Sequence, residues 1–270
     1  MFFSVLASGS NANSTYVDGG STRVLVDCGL SARQTCKRLL YRGIAPESLD
    51  AIVVTHEHSD HIRGISVLSR KYKIPVYANC AAAECLENVY AVEQFSTSEP
   101  FAIGGISFTP FSVVHDARDP VGFVLESAGF KLGHATDMGK VTPLVRHVLE
   151  GCNALVLESN HDRDLLYQCG YPWPLKQRID SSHGHLSNEA AAALLQEMMH
   201  PELFHVVLAH LSENSNTPEL AVNASLRALR TEQPRTLVCG RRDMPTELFS
   251  LDPERDAGQF TGSEKCPRVA

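Results

Sequence analysis

VVTHEHSDHIRGI (residues 53–65) places His56, His58, Asp60 and His61, with Glu57 among them, at the end of the apolar run AIVV (51–54). Such a run reads as a buried strand, so the polar cluster begins where the chain leaves the apolar interior. If the chain stays extended, His56, His58 and Asp60 project to one side, because strand side chains alternate with a period of two. His61 then projects elsewhere and could serve a second ion. Two neutral imidazoles and a carboxylate suit Zn²⁺, Mn²⁺ or Fe, whereas an all-oxygen shell would have pointed to Mg²⁺ or Ca²⁺. A single His is commonly structural, and polar clusters occur in solvated loops. Three His and one Asp in H-x-H-x-D-H order at a strand end point instead to metal binding.

On either side of this stretch, strand and helix patterns alternate. FFSVLA (2–7), STYVD (14–18) and TRVLVD (22–27) read as strands, followed by a helix near 31–42, the strand AIVVT and a helix from about 62. A second cycle follows: strands at ISFTPFSVV (106–114), VGFVLES (121–127) and FKLGHAT (130–136), a helix at 140–150, a strand at ALVLES (154–159), a helix at 186–199 and a strand at HVVLAH (205–210). Thr217 before Pro218 and Glu219 is a good helix start for PELAVNASLRALR, and TLVCG (236–240) is a last strand. The pattern predicts two β-sheets packed face to face and covered by helices, in one domain over residues 1–250. Residues 251–270 are polar, contain Gly and Pro, and are expected to form a disordered tail.

Composition bounds the function. With 270 residues and 43% hydrophobic content the chain can bury a full core. No apolar run approaches membrane-span length, and MFFSVLASGS lacks the basic start and long apolar stretch of a signal peptide, so a cytosolic protein is expected, with no membrane partner. Eight scattered cysteines with no C-x-x-C pair read as buried, reduced thiols. A net charge of −7 argues against wholesale coating of nucleic acid. Two segments are nevertheless basic and free of acids: residues 31–42 carry Arg33, Lys37, Arg38 and Arg42, and residues 62–73 carry Arg63, Arg70, Lys71 and Lys73. Either run taken alone is also explained as a solvated helix face.

The histidine cluster resembles that of the metallo-β-lactamase superfamily, whose fold is a four-layer αββα sandwich. ASGSNANSTYV, LVDCGLS, THEHSDHIRGI, the lone His115 after a strand, ATDMG, LESNHD, SSHGHLSN and LAHLSENSNTPELA follow the pattern of its YycJ/WalJ-like members, which are metal-dependent nucleases. The match covers roughly residues 3 to 240. It implies that His56, His58 and His115 hold one divalent ion, that Asp60, His61 and His210 hold a second, and that Asp137 bridges them. Zn or Mn is expected, with Fe as an alternative. The resemblance further implies a nucleic-acid substrate, DNA rather than RNA, 5′-to-3′ exonuclease action, and a bacterial cytoplasm, with a role in DNA repair.

Each assignment also has a physical reading. His115 ends the run FTPFSVV, and His210 ends HVVLAH, so both project from strand ends. Asp137 follows FKLGHAT on a loop, where it could partly neutralise two repelling cations; capping a following helix is the alternative. Asp27 closes TRVLVD and is expected to orient a ligand loop by hydrogen bonds. Asp60, His185 and His161 are the catalytic candidates, since either imidazole could contact a phosphate or protonate a leaving oxygen. His183 is a weaker candidate of the same kind, and helix-start roles would also explain these loops. Ser10, Asn11 and Asn13 in SGSNANS could cradle a phosphate, or simply form a strand-connecting turn. YPWPLKQR (171–178) offers Tyr171, Trp173, Lys176 and Arg178 as a base-stacking platform on a loop. His134, His147, His200 and His205 read as structural. Two positions depart from the family pattern: Ala12 replaces a Gly, which could alter a turn needing positive φ, and His134 replaces an aromatic residue.

Two adjacent cations would activate water for in-line attack on a phosphodiester. The rivals are a hydrolase of a small phosphodiester or thioester on the same scaffold, an oxygen-reducing di-iron protein, and a regulatory module that keeps metals without turnover. A Glu in place of His58 would favour the di-iron class, and lost ligands would favour the module. Oligomeric state is not legible.

Overall fold

The structure is a computed structural model that describes residues 1–230 and 232–254. Its first sheet contains β1 (Phe2–Ala7), β2 (Ser14–Asp18), β3 (Arg23–Val26), β4 (Ala51–Val53), β5 (Val76–Ala78) and β6 (Val92–Gln94) in sequential order. The second contains β7 (Phe101–Ile103), β8 (Ile106–Ser112), β9 (Val121–Ser127), β10 (Phe130–Ala135), β11 (Ala154–Glu158), β12 (His205–Ala209) and β13 (Thr236–Cys239). The chain then returns to the first sheet, where β14 (Phe249–Ser250) pairs with β1. Both sheets are antiparallel in one half and parallel in the other: β3 to β6 and β10 to β13 run parallel. Parallel neighbours require crossovers, and helices supply them. On the first sheet these are α1 (Ala32–Tyr41), α2 (Ser59–Ile62), α3 (Ile65–Tyr72) and α4 (Cys80–Ala83). On the second they are α5 (Pro143–Leu149), α6 (Arg163–Gln168), α7 (Trp173–Ile179), α8 (Asn188–Met198) and α9 (Pro218–Leu229).

Alternation along single strands produces the layers. In β11, Ala154 and Val156 enter the core between the sheets, whereas Leu155 and Leu157 pack under helices. In β12, Val207 and Ala209 face the inter-sheet core and Val206 and Leu208 face the helices. β3 does the same with Val24 and Val26 against Leu25. Coverage on both faces explains why these strands read as continuous apolar runs. Leu39 of α1 and Ile65 and Leu68 of α3 close the first outer core; Leu149 of α5, Leu194 and Leu195 of α8 and Leu229 of α9 close the second. The result is the expected four-layer αββα sandwich.

Helix starts follow their capping residues. Ser31, Thr142, Ser187 and Thr217 accept from the backbone N–H three residues on, at Gln34, Val145, Ala190 and Leu220. The helix expected from about 62 is two helices, broken where Gly64 packs against the backbone of the loop after β3: a Cβ there would lie 2.0 Å from Leu30 O. The short strands β5, β6, β7 and β14 and the helices α4 and α6 carry too little periodicity to have been foreseen. Leu251 is buried in the inter-sheet core, and its N–H donates to Met1 O. Residues 255–270 of the expected tail lie outside the described residues.

Candidate metal centre and cleft

The site lies beyond the C-terminal ends of β3, β4, β8, β10, β11 and β12. Three residues that follow strands at this edge adopt left-handed backbone, Asp27 (φ 62°), Asp137 (φ 58°) and His210 (φ 58°), whereas Ala128 (φ 52°) does so in the turn between β9 and β10. That conformation costs a non-glycine residue about 1–2 kcal/mol. All three belong to the same polar cluster, so the strain is concentrated where side chains must turn back over the strand ends.

The loop after β4 is tied to the loop after β3. Asp27 Oδ1 accepts from Thr55 N at 2.9 Å, and its Oδ2 accepts from Thr55 Oγ1 and lies 2.8 Å from His61 Nδ1. Cys28 N donates to His61 O, Gly64 N to Cys28 O and Asn13 N to Asp60 O. A Cβ on Gly29 would sit 1.5 Å from Asp60 O, so glycine permits this approach. The chain does not stay extended through the motif: His58 caps α2, which carries Asp60 and His61. Helical rotation therefore takes Asp60 away from the His56–His58 side, which corrects the three-residue row expected from a period of two.

Donor atoms converge in four overlapping sets, each within 4.8 Å: His56, His58 and His115; Asp60, His61 and His210; His56, His61 and Asp137; and Asp137, Glu158, His185 and His210. Hydrogen bonds behind the rings aim them. His61 Nδ1 faces Asp27, His115 Nδ1 faces Gly184 O at 3.0 Å, His56 Nδ1 faces Thr55 Oγ1 at 3.0 Å, and His210 Nδ1 faces Glu158 Oε1 at 3.0 Å. Each Nε2 is thereby turned inward. His56 Nε2, His210 Nε2 and Asp137 Oδ2 are buried without a hydrogen-bond partner. Buried polar atoms are normally satisfied, so this inward-facing set is what a bound cation would complete. Imidazoles mixed with carboxylates fit Zn²⁺ or Mn²⁺ by donor chemistry.

The electrostatics of the protein without metal follow from the packing. Burial would raise the Asp137 carboxyl, but His210, His61, His56 and His115 hold it well below the usual carboxylate range. Burial, the largest single influence, would lower His61 and His210, but Asp137 opposes it at both. Asp27 adds to this at His61 and Asp60 at His210; His61 is carried well above its ordinary value and His210 to about 10. His56 is pushed well down by burial and then by His61, so it is neutral and ready to ligate.

The floor of the site opens into a cleft of about 270 Å³, whose walls include Ser10, Asp116, Tyr171, Arg178, His185 and Ser212. The fully buried Glu158 lies behind that floor and was not anticipated from the sequence. Its Oε1 lies 2.7 Å from His185 Nδ1 as well as 3.0 Å from His210 Nδ1, and its Oε2 accepts from Met138 N at 2.7 Å. Burial would raise its carboxyl, but His185 and His210 bring it down to about 2. The available signal was a lone carboxylate closing the apolar strand ALVLE, since an ionised group there must have partners.

The remaining candidates separate. His185 lines the cleft. His161 is fully buried, is not among the cleft-lining residues, and has Nε2 3.5 Å from Asp180 Oδ1. His183 is exposed, does not line the cleft, and faces Ser182 Oγ. Ser10 lines the cleft, whereas the Asn11 amide pairs with Glu213. The buried Asn13 side chain accepts from Gly9 N and donates to Asp60 Oδ2 at 3.1 Å, so it holds a cluster residue rather than open space. Ala12 is not in a positive-φ conformation; the unusual backbone falls on Gly9 (φ 139°). His134 packs between the sheets against Thr15 Oγ1, and burial brings its pKa down to about 4. His200 and His205 bond to Cys152 O and Ser250 O, as structural residues would.

YPWPLKQR is not a loop: residues 173–179 form α7. Lys176 is buried and donates to Tyr167 O at 2.7 Å, which removes it from the expected platform. Tyr171 and Arg178 line the cleft, and Trp173 is exposed beside Tyr167. In the first basic run, Arg38 and Arg42 bind backbone carbonyls of Leu6 and Pro245. Arg33, Lys37, Arg63, Arg70, Lys71 and Lys73 remain exposed.

Residues 22–210 match the family model described as a β-lactamase superfamily domain. The chain is 40% identical over 227 residues to exodeoxyribonuclease YycJ of Bacillus anthracis, covering 82% of this chain and 86% of that protein. It is 38% identical over 229 residues to exodeoxyribonuclease WalJ of Streptococcus pneumoniae strain D39, covering 81% and 84%. Among solved structures, the metallo-β-lactamase fold protein YhfI of Bacillus subtilis superposes with a TM-score of 0.70 at 16% identity, covering 91% of this chain and 99% of that one. With a matching domain, these relatives and the four-layer sandwich together, the chain belongs to the β-lactamase superfamily and, within it, to the family of the YycJ and WalJ exodeoxyribonucleases.

Proposed function

We propose that the protein is a dinuclear metal-dependent exodeoxyribonuclease. The observation that carries this reading is the inward convergence of buried, unpartnered His56 Nε2, His210 Nε2 and Asp137 Oδ2 at the foot of an open cleft. His56, His58 and His115 would hold one ion, Asp60, His61 and His210 the other, and Asp137 would contact both. Zn or Mn suits this donor set. Bound there, two divalent ions would supply Lewis acidity and water acidic enough to lose a proton near neutral pH.

The protein's own groups do the rest. Asp27 keeps the His61 proton on Nδ1, and Glu158 does the same for His210, so both rings present Nε2 inward. Asn13 fixes the Asp60 carboxylate against rotation. Glu158 also holds His185 Nδ1, leaving Nε2 of that ring as the atom that exchanges a proton with the leaving sugar oxygen. His161, enclosed beside Asp180, acts through the packing of the α7 segment rather than on substrate. The cleft lies directly over the donor cluster, with His58, Asp60, His115, Asp137 and His210 in its lining, which supports delivery of a phosphodiester to the metals. The exposed cations of α1 and α3, with Arg63 between α2 and α3, support attraction of a phosphate backbone. The YycJ and WalJ relatives support DNA over RNA, and the family resemblance supports a 5′-to-3′ direction and a repair role in a bacterial cytoplasm. The seven cysteines among the described residues are all free, which agrees with a reducing compartment. No helix among the described residues is long and apolar enough to cross a membrane.

The test is a time course of end-labelled single- and double-stranded DNA and RNA with metal-reconstituted protein, run beside Asp137→Ala. Mononucleotide release from one labelled end, absent in the variant, is expected. Polymers left intact by fully metallated protein would overturn the nuclease reading.

A further inference from the structure

Arg178 is the sole Arg or Lys among the described residues that line the cleft, where Asp60, Asp116 and Asp137 supply three carboxylates. It stands on α7, largely exposed, and reaches across the mouth to Asp116 on the segment between β8 and β9. Arg178 Nε lies 2.6 Å and Nη2 2.5 Å from Asp116 Oδ2. The other oxygen of the same carboxylate, Oδ1, lies 3.2 Å from His115 Nε2, the inward-facing nitrogen of that ring. One carboxylate therefore spans the guanidinium on one side and the edge of the donor cluster on the other.

A surface ion pair contributes little to stability and gives no reason for its own position. The geometry supplies one. A phosphodiester presents two non-bridging oxygens at nearly the spacing of a carboxylate's, and guanidinium groups bind both anions in the same forked manner. A phosphate seated where Asp116 now lies would keep one oxygen on Arg178 and direct the other towards the His115 edge of the cluster.

We propose that Arg178 is the substrate-phosphate receptor of this cleft and that Asp116 is its resting counter-ion, displaced by the incoming phosphodiester anion. The inference rests on the phosphodiester reading above and deepens it by assigning the anion contact. It separates phosphodiesters from uncharged substrates, because expelling Asp116 from Arg178 requires a competing anion. Both side chains reach solvent, so their replacement leaves the buried cores intact.

The test compares wild type, Arg178→Gln, Arg178→Lys and Asp116→Asn as metal-reconstituted full chains on a fluorescent single-stranded DNA oligonucleotide. Arg178→Gln is expected to raise KM about tenfold, with a smaller fall in kcat, since a charged hydrogen bond is lost. Arg178→Lys recovers part of that loss. The slope of log KM against log salt falls by about 0.7, one phosphate contact on a single strand. Asp116→Asn lowers KM, because the competing anion is gone. A second readout needs no turnover: binding of inorganic phosphate, measured by titration calorimetry, is weaker in Arg178→Gln and tighter in Asp116→Asn. Unchanged KM, salt slope and phosphate binding in Arg178→Gln would overturn the proposal while leaving the nuclease reading intact. An oligonucleotide left uncut by the wild type, with phosphate binding still dependent on Arg178, would overturn the nuclease reading instead.

Discussion

His185 and His210 share one acceptor: Glu158 Oε1 lies 2.7 Å from Nδ1 of the first and 3.0 Å from Nδ1 of the second. A cleft residue and a cluster residue are therefore set by the same buried carboxylate, held in turn by Met138 N and Leu186 N. Glu158→Gln keeps the volume but removes the charge that fixes both tautomers. We expect a loss of about 10- to 100-fold in activity, metal affinity or both, the usual range for partners behind metal-ligating histidines. Steady-state kinetics beside metal titration measures it, and a variant with wild-type values in both would refute the assignment.

Metal uptake should release protons. Without metal, Asp137 and its neighbours carry His210 to about 10 and His61 well above its ordinary value, so both rings are protonated at pH 7.5. A raised folded-state pKa stabilises the metal-free protein fully below about 6.5 and ceases to do so as pH rises through about 10. Ligation requires neutral imidazole, so metal affinity rises with pH over that window. Calorimetric titrations in two buffers of different ionisation enthalpy give the proton count, and a count of zero would contradict the expected protonation.

Gly29→Ala should disrupt the centre without touching a donor atom. The added Cβ would lie 1.5 Å from Asp60 O, which the flanking backbone bonds hold in place. Overpacking of this kind costs about 1–3 kcal/mol. Thermal unfolding and metal content should both fall, whereas a variant with wild-type melting and full metal loading would show that the loop moves freely.

Phe123 is fully buried between the sheets, edge-on to Phe95 and Phe108. Phe123→Ala should cost about 3–5 kcal/mol through lost burial and the cavity left behind. Chemical denaturation reads the loss, and a change under about 1 kcal/mol would mean that the core collapses to fill the space.

Thiol reactivity should sort by burial. Burial pushes the Cys28 and Cys152 thiols up to about 12, whereas Cys80 is exposed. Alkylation at pH 8 should label Cys80 early and reach Cys28 and Cys152 only on unfolding. Peptide mass mapping over time decides it, and early labelling of Cys28 would show that the loop after β3 opens in the native state.

The sequence alone determined the architecture and the first half of the site. Apolar runs in β3, β11 and β12 alternate between two cores, and capping residues such as Ser31 and Thr217 mark helix starts, so local chemistry announces these elements. H-x-H-x-D-H at the end of β4 is likewise dense enough to read locally. Periodicity misled where the chain changed conformation inside the motif, at His58, and where YPWPLKQR proved helical, because nothing local shows that strand geometry stops at Val53 or that Lys176 is buried. Tertiary structure alone decided which carboxylates stand behind which rings. Glu158 and His210 are 52 residues apart, and Asp116 and Arg178 are 62 apart. Such pairings arise when separate strand ends are brought to one edge of the sandwich, and a single sequence carries no periodic signal for them.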